Sequence, residues 1–269
     1  MNYRDYRDLV RTEIFSHKHD GPLFNWVDIN PTELCNRTCL FCPRGEKYPN
    51  QNIHITSRVI DKITQDLFDV EFTGIINICG NGEPLLSKNI YPLIESLSDY
   101  NLEMVSNGDN LTNKNIKILF DLGLNHLNVS CYDGEHQIDY FNELFEGCIP
   151  KSAYTLREYW KPLPFLNNRA GTINIGNSFL DKPCYYMHYS IQIDWNGDVL
   201  FCLQSIYDKS IIHGNILTSS MRDIWYGKSM SKYRDLLAEG RKHKPCSACN
   251  VNGTMFGEKY AIKWGELSE

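Results

Sequence analysis

From about residue 26 to residue 130, short β-rich runs alternate with segments whose apolar positions recur every three or four residues, as strands and amphipathic helices require. WVDIN (26–30) reads as a first strand. Ser57 is placed to cap a helix that aligns Val59, Ile60, Ile63 and Leu67 on one face. GIINIC (74–79) predicts a second strand, 87–100 a second helix and LEMVS (102–106) a third strand. A third helix over 111–123, closed by Gly123, leads to a fourth strand, HLNVS (126–130). Three consecutive βα units and the start of a fourth predict an α/β fold with a parallel sheet. Across 135–180 the alternation fades. It returns at 189–202, where Asn196-Gly197 between two β-rich runs predicts a hairpin, followed by a helix over roughly 221–239 that Gly240 stops. The boundary between an α/β part and a small C-terminal part is expected within 165–183. No repeat or low-complexity tract interrupts the chain.

The 269 residues, 42% of them hydrophobic, suffice for one large domain or a large one with a small one. A formal charge of −6 argues against a nucleic-acid partner and favours a small-molecule or peptide substrate. The first 21 residues lack the apolar core of a signal peptide, and no run approaches a membrane span. The expected setting is therefore cytoplasmic, with no membrane partner. Ten cysteines in a reducing compartment point to metal binding or catalysis rather than disulfides.

Seven of those cysteines fall into two sets. Cys35, Cys39 and Cys42 follow the first strand in a Cys-x-x-x-Cys-x-x-Cys pattern, with Phe41 adding an aromatic face. Three thiolates on one loop suit three irons of a cubane and leave the fourth iron free for a small molecule. The same loop would also suit a zinc site that borrows a further ligand such as His17 or His54. Farther on, Cys184, the hairpin residue Cys202, and Cys246 with Cys249 form a four-thiol set that a zinc ribbon would share.

The first set, its position after a strand and Phe41 resemble the signature of the radical S-adenosylmethionine (SAM) superfamily. Gly80-Asn81-Gly82-Glu83-Pro84 is similar to that family's glycine-glycine-glutamate segment, although Asn81 replaces one glycine. Ser106-Asn107-Gly108 resembles its segment near the SAM ribose, for which Ser130 is a further candidate. The second set resembles a SPASM auxiliary-cluster domain in its truncated form, Twitch, because no cysteine follows Cys249. Several segments, among them Asn168-Arg169-Ala170-Gly171, are most similar to the aminocyclitol dehydrogenases of the superfamily, and this makes Arg169 the substrate-contact candidate.

The resemblance implies a partial radical SAM barrel with parallel strands and a small β-hairpin and helix auxiliary domain. The expected division is an N-terminal extension over 1–24, a radical SAM core over 25–175 and an auxiliary iron–sulfur domain over 176–269. Implied cofactors are SAM and two 4Fe-4S clusters, held by Cys35, Cys39 and Cys42 and by Cys184, Cys202, Cys246 and Cys249. Phe41, Gly82, Glu83, Pro84, Ser106, Asn107 and Ser130 are the implied SAM contacts, and flavodoxin or ferredoxin the implied class of electron donor.

The implied reaction takes a hydrogen atom from a sugar or aminocyclitol and oxidises a hydroxyl to a ketone, the last electron passing to the auxiliary cluster. An epimerase would return a hydrogen atom, typically from a thiol, and Cys79, Cys131 and Cys148 remain for that role. Peptide modification and a non-catalytic zinc scaffold are further readings.

Overall fold

The computed structural model describes residues 3–15, 21–39, 41–45, 48–161, 166–174 and 181–267. His17 and the expected division between residues 175 and 176 lie outside the described residues. In chain order the elements are α1 (Tyr3–Thr12), β1 (Trp26–Ile29), α2 (Ser57–Asp69), β2 (Ile75–Ile78), α3 (Ile90–Ser96), β3 (Asn101–Ser106), α4 (Asn113–Asp121), β4 (His126–Cys131), α5 (His136–Phe145) and β5 (Tyr154–Glu158). They continue with α6 (Tyr186–Tyr189), β6 (Ser190–Ile193), β7 (Asp198–Leu200), β8 (Ile212–Asn215), α7 (Met221–Trp225), α8 (Lys228–Glu239) and α9 (Glu258–Glu266).

All eight strands form one sheet in the order β5-β4-β3-β2-β1-β6-β7-β8. Pairing is parallel from β5 through β6, and the β6-β7 and β7-β8 pairs are antiparallel. The hairpin expected around Asn196-Gly197 is present, with Gly197 in the left-handed region at φ +87°. Its first strand does something the pattern did not announce: β6 lies parallel against β1, Trp26 opposite Ser190 and Ile29 opposite Ile193. The C-terminal cysteines therefore hang from the same sheet as the N-terminal ones.

Strand parity explains the two faces of this sheet. Val27, Ile29, Ile76, Ile78, Leu102, Met104, Leu127, Val129, Ile191 and Ile193 point to one side and form the main core with α2, α3 and α4. The alternate positions carry Asp28, Asn77, Glu103, Asn128, Arg157 and Gln192, a polar residue from each of six strands. This polar phase forms the inner face of the partial barrel.

Several boundaries differ from expectation for local reasons. α2 is capped by Thr56 rather than Ser57, without a side-chain cap bond. The second helix is only Ile90–Ser96, preceded by a separate 3-10 turn over Pro84–Leu86. The helix expected over 221–239 is broken between α7 and α8. There the Trp225 carbonyl, which a continuous helix would use internally, accepts instead from buried Arg234 at 2.7 Å, and the Arg234 guanidinium stacks between Trp225 and Trp264. Gly227 sits at the break, where a Cβ would lie 2.9 Å from the Asp223 carbonyl oxygen.

α1 closes the amino ends of the strands. Tyr3 stacks on His126 with ring centroids 4.1 Å apart, and its hydroxyl donates to the buried Glu103 carboxylate at 3.0 Å. Arg7 pairs with the same carboxylate at 3.0 Å, and Arg7 and Arg11 both lie over the Trp26 ring. α9 holds α1 from outside, the Tyr260 hydroxyl donating to the Glu13 carbonyl at 2.9 Å. Glu103→Ala would strand one half-buried cation and one phenol. The expected loss is about 3 kcal/mol, the lower end of the range for breaking a buried pair because Arg7 retains some solvent. Urea unfolding of the variant beside wild type measures it.

Candidate active site

A cavity of about 610 Å³ opens on the inner face. Cys35, Cys39, Cys42, Phe41, Gly82, Glu83, Ser106, Asn107, Ser130 and Arg169 all line it, whereas Pro84 does not. Pro84 is buried at the start of its 3-10 turn, where a residue lacking an N–H donor is well placed.

The first cysteine loop is held by neighbours on every side. Asn50 clamps Cys35, accepting from its N–H at 2.9 Å and donating to its carbonyl at 2.8 Å. Buried Arg44 donates to the Asn81 carbonyl at 3.0 Å and so fastens the loop to the segment after β2. Arg37 bridges Asp109 and Asp133, which follow β3 and β4, with contacts of 2.5–2.9 Å. His54 engages Thr32 and Asn52 through its two ring nitrogens, so neither is left for a metal. Burial and its thiol neighbours push Cys39 up to about 11, and burial raises Cys35 as well. Bare thiols here stay protonated; a cationic group bonded to the sulfurs would remove that penalty. Phe41, Tyr132 and Tyr159 stack on one another beside them, at centroid distances of 5.4–5.7 Å.

The glycine segment after β2 is dictated by crowding. A Cβ on Gly80 would meet the Asn30 side chain at 2.1 Å, and one on Gly82 would meet the Thr32 and Leu34 carbonyl oxygens at 2.4 and 2.5 Å. Gly80 is thus as constrained as Gly82. Asn81 is tolerated between them because its amide turns to Glu33 at 3.0 Å. The Glu83 carboxylate accepts from the Ser106 hydroxyl at 2.8 Å, the Asn107 N–H at 2.7 Å and the Leu85 N–H at 3.2 Å. Burial raises Glu83 to about 7, with those three donors opposing the rise. Ser106 and Asn107 are likewise spent on wiring, Ser106 accepting from Gly108 N–H and Asn107 linking Asn36 to Asp109. Ser130 is buried and hydrogen-bonded with Tyr132.

Cys184, Cys202, Cys246 and Cys249 surround a second, much smaller space of about 20 Å³, lined otherwise by residues such as Met187, Phe201 and Leu237. Burial pushes Cys184 up to about 11 and Cys202 well above its usual range, with neighbouring thiols adding to the rise. Among the described residues, no three Cys, His, Asp or Glu side chains converge as ligands of a single ion.

Arg169 lies between the two spaces. Arg169, Ala170 and Gly171 are three successive left-handed residues, at φ +49°, +53° and +85°. Asn168 and Asn250 fix this turn reciprocally: the Asn168 N–H donates to Asn250 at 2.7 Å, the Asn250 N–H donates back at 3.2 Å, and the Asn168 amide donates to the Ala248 carbonyl at 2.6 Å. Arg169 then faces the larger cavity while Ala170 lines the smaller one, against the Cys246-x-x-Cys249 loop. Tyr186 and Gln204 line both spaces.

Sequence reasoning missed the floor of the larger cavity, formed by Arg7, Arg11, Trp26, Asp28, Asn77 and Arg157. Its signal was the polar residue on alternate positions of each strand. Asp28 accepts on one carboxylate oxygen from Trp26 at 2.9 Å and Asn77 at 2.7 Å, the other oxygen has no hydrogen-bond partner among the described residues, and burial raises the carboxyl to about 6. Of the three remaining cysteines, Cys79 lines the cavity and Cys131 and Cys148 do not. Cys131 packs into the core on the opposite strand face, and Cys148 lies near Asn113.

A parallel sheet with a three-cysteine loop after its first strand, and a four-thiol set beside the same cavity, defines a radical SAM enzyme with an auxiliary iron–sulfur site. Residues 29–140 match the Radical SAM superfamily and residues 184–250 the SPASM iron–sulfur cluster-binding domain. These domains imply SAM, a 4Fe-4S cluster and an auxiliary iron–sulfur cluster. Across 88% of its length the chain is 26% identical to the S-adenosyl-L-methionine-dependent 2-deoxy-scyllo-inosamine dehydrogenase of Niallia circulans, covering 97% of that protein. Its fold matches BtrN in complex with AdoMet and 2-DOIA at a TM-score of 0.78, with 23% identity over 90% of this chain and 98% of that one. A more distant fold match is anSMEcpe with bound AdoMet, at a TM-score of 0.59 and 12% identity over 91% and 92% of the two chains.

Two substitutions test the Arg169 turn. Ala170→Gly relieves a left-handed alanine and should stabilise the protein by about 0.5–1 kcal/mol. Asn250→Ala removes the side-chain acceptor of the Asn168 N–H and the amide donor to the Leu166 carbonyl, and should cost about 1–3 kcal/mol. Chemical denaturation measures both.

Proposed function

We propose that the protein oxidises a hydroxyl of a small polar cyclic substrate, a sugar or an aminocyclitol, to a ketone. The observation that carries this reading is the position of Arg169, on the wall of the larger cavity and clamped to the loop of Cys246 and Cys249. A carbon losing a hydrogen atom there would lie beside an acceptor for the remaining electron. The Niallia circulans relative, named as an aminocyclitol dehydrogenase, supports the substrate class.

In this reading Cys35, Cys39 and Cys42 hold the first cluster and leave one iron to SAM, and the other four thiols hold the second. When bound, these groups supply a 5′-deoxyadenosyl radical as hydrogen-atom acceptor and a site for one electron. The chain supplies the rest. The loops after β2 and β3 and the carboxyl end of β4 bring Gly82, Asn107 and Ser130 to the SAM side, with Phe41, Tyr132 and Tyr159 as an aromatic wall. Arg169 stabilises negative charge on the substrate oxygen. Asp28, one of whose carboxylate oxygens is unengaged among the described residues, lines the same cavity and takes the hydroxyl proton. Residues 25–175 thus serve SAM and 176–269 the electron acceptor, while the N-terminal extension floors the cavity. Reduction from outside would come from a flavodoxin or ferredoxin.

Epimerisation is the second reading, favoured by Cys79. Its thiol lies on the cavity wall, 3.6 Å from Asp28, and burial keeps it protonated, as a hydrogen-atom donor requires.

Anaerobic reconstitution should give about eight iron atoms per chain. Stoichiometric zinc without iron overturns the reading. Replacing Cys35, Cys39 and Cys42 together should abolish reductive SAM cleavage.

A base must be deprotonated to act. Ketone formation should therefore rise with pH through about 6, and Asp28→Asn should lower it by about 10²-fold or more while SAM cleavage persists. Turnover in deuterium oxide separates the two reactions: deuterium at an inverted carbon marks the epimerase, a new ketone the dehydrogenase.

A further inference from the structure

The loop that follows Cys202 reaches back across the sheet to the other cysteine set. Lys209 on this loop pairs with Glu33, two residues before Cys35, at 2.7 Å, and with Asp194 at 2.5 Å. Tyr207 lies deeper. It is 4% exposed, packs with Leu200 and Ile206, and meets the Tyr48 ring edge-on at a centroid distance of 4.9 Å. Its hydroxyl lies 3.0 Å from the Cys42 sulfur.

From this contact we propose that Tyr207 is a positioning residue that sets the reduction potential of the cluster at Cys35, Cys39 and Cys42. The inference rests on the reading of Cys42 as a ligand of that cluster. A ligated cysteine sulfur carries no proton, so the phenol is the donor. A hydrogen bond to a cluster sulfur withdraws negative charge and stabilises the reduced state, which raises the potential. Removing it makes the cluster harder to reduce.

The ring is locked by packing, so Tyr207→Phe deletes the donor and leaves the shape. The backbone carrying Tyr207 starts at Cys202, so the second thiol set also places a donor on the first.

The test is a redox titration of the reconstituted full chain followed by electron paramagnetic resonance, with and without SAM. The signal that SAM perturbs belongs to the first cluster. In Tyr207→Phe its midpoint should move to more negative potential, with iron content and the second signal unchanged. Site-specific 3-fluorotyrosine at 207 keeps the contact with a more acidic phenol and should move the midpoint the opposite way. That second variant decides the matter if the phenylalanine chain loses iron. An unchanged midpoint in a fully loaded variant, or an equal shift of both signals, overturns the proposal. A wild-type chain with no SAM-responsive signal overturns the cluster reading and the proposal together.

Discussion

One buried side chain, Asn30, ties together the three loops from which the site is built. Its amide oxygen accepts from the Asn81 N–H at 3.0 Å, its amide nitrogen donates to Asp194 at 2.7 Å, and its backbone N–H donates to the Ile193 carbonyl at 2.9 Å. These partners stand at the carboxyl ends of β2 and β6, and Asn30 itself ends β1. The first cysteine loop, the glycine segment and the hairpin leading to Cys202 thereby share a single anchor with no exposure to water. Buried amide groups left unpaired are costly, so the three loops are fixed in register with one another rather than each packing alone. The Gly80 position follows from the same knot, since any side chain there would displace Asn30.

Much of the fold could be read before any coordinates because the strands of the core alternate so regularly. β1 through β4 fall within a residue or so of the runs at 26–30, 74–79, 102–106 and 126–130. α5 and β5 were less legible: Ile138, Phe141 and Phe145 recur at helical spacing, but α5 is only ten residues long, and β5 is an edge strand buried only at Tyr154. α1 was hidden for a different reason. Half of its residues are charged, and it packs on Glu103, His126 and Trp26, residues 90 or more positions away in two of the three cases. The helix is amphipathic in its own sequence, but the local pattern cannot name partners that far away along the chain.

The cysteine sets were legible from spacing, while the way the loops use their polar residues was not. Glu83, Ser106 and Asn107 attract notice as ligand-binding types, but the structure spends their side chains on one another, so their loops can offer a ligand mainly backbone. Arg169 shows the converse. Nothing in Asn168-Arg169-Ala170-Gly171 reveals that Asn250, 82 residues later, is its clamp, or that Gly171 is required because a Cβ would lie 2.4 Å from that of Ala248. The turn gains its shape from the second cysteine loop, which makes the arginine and the four thiols one structural unit.

Strand parity sorts the cysteines that belong to neither set. Cys79 stands two residues after Asn77 and so shares its face, the polar one that lines the cavity. Cys131 follows Ser130 by one residue and so turns the other way, into the packed core with Val129. A thiol on the inner face, next to a buried carboxylate that repels its ionised form, remains S–H across the physiological range. The same Asp28 that is proposed as the base for a hydroxyl thus also opposes ionisation of Cys79. In the proposed reading both reactions place the substrate near Asp28, oxidation needing the Arg169 turn within reach of the substrate oxygen and hydrogen return needing the Cys79 thiol within reach of the radical carbon.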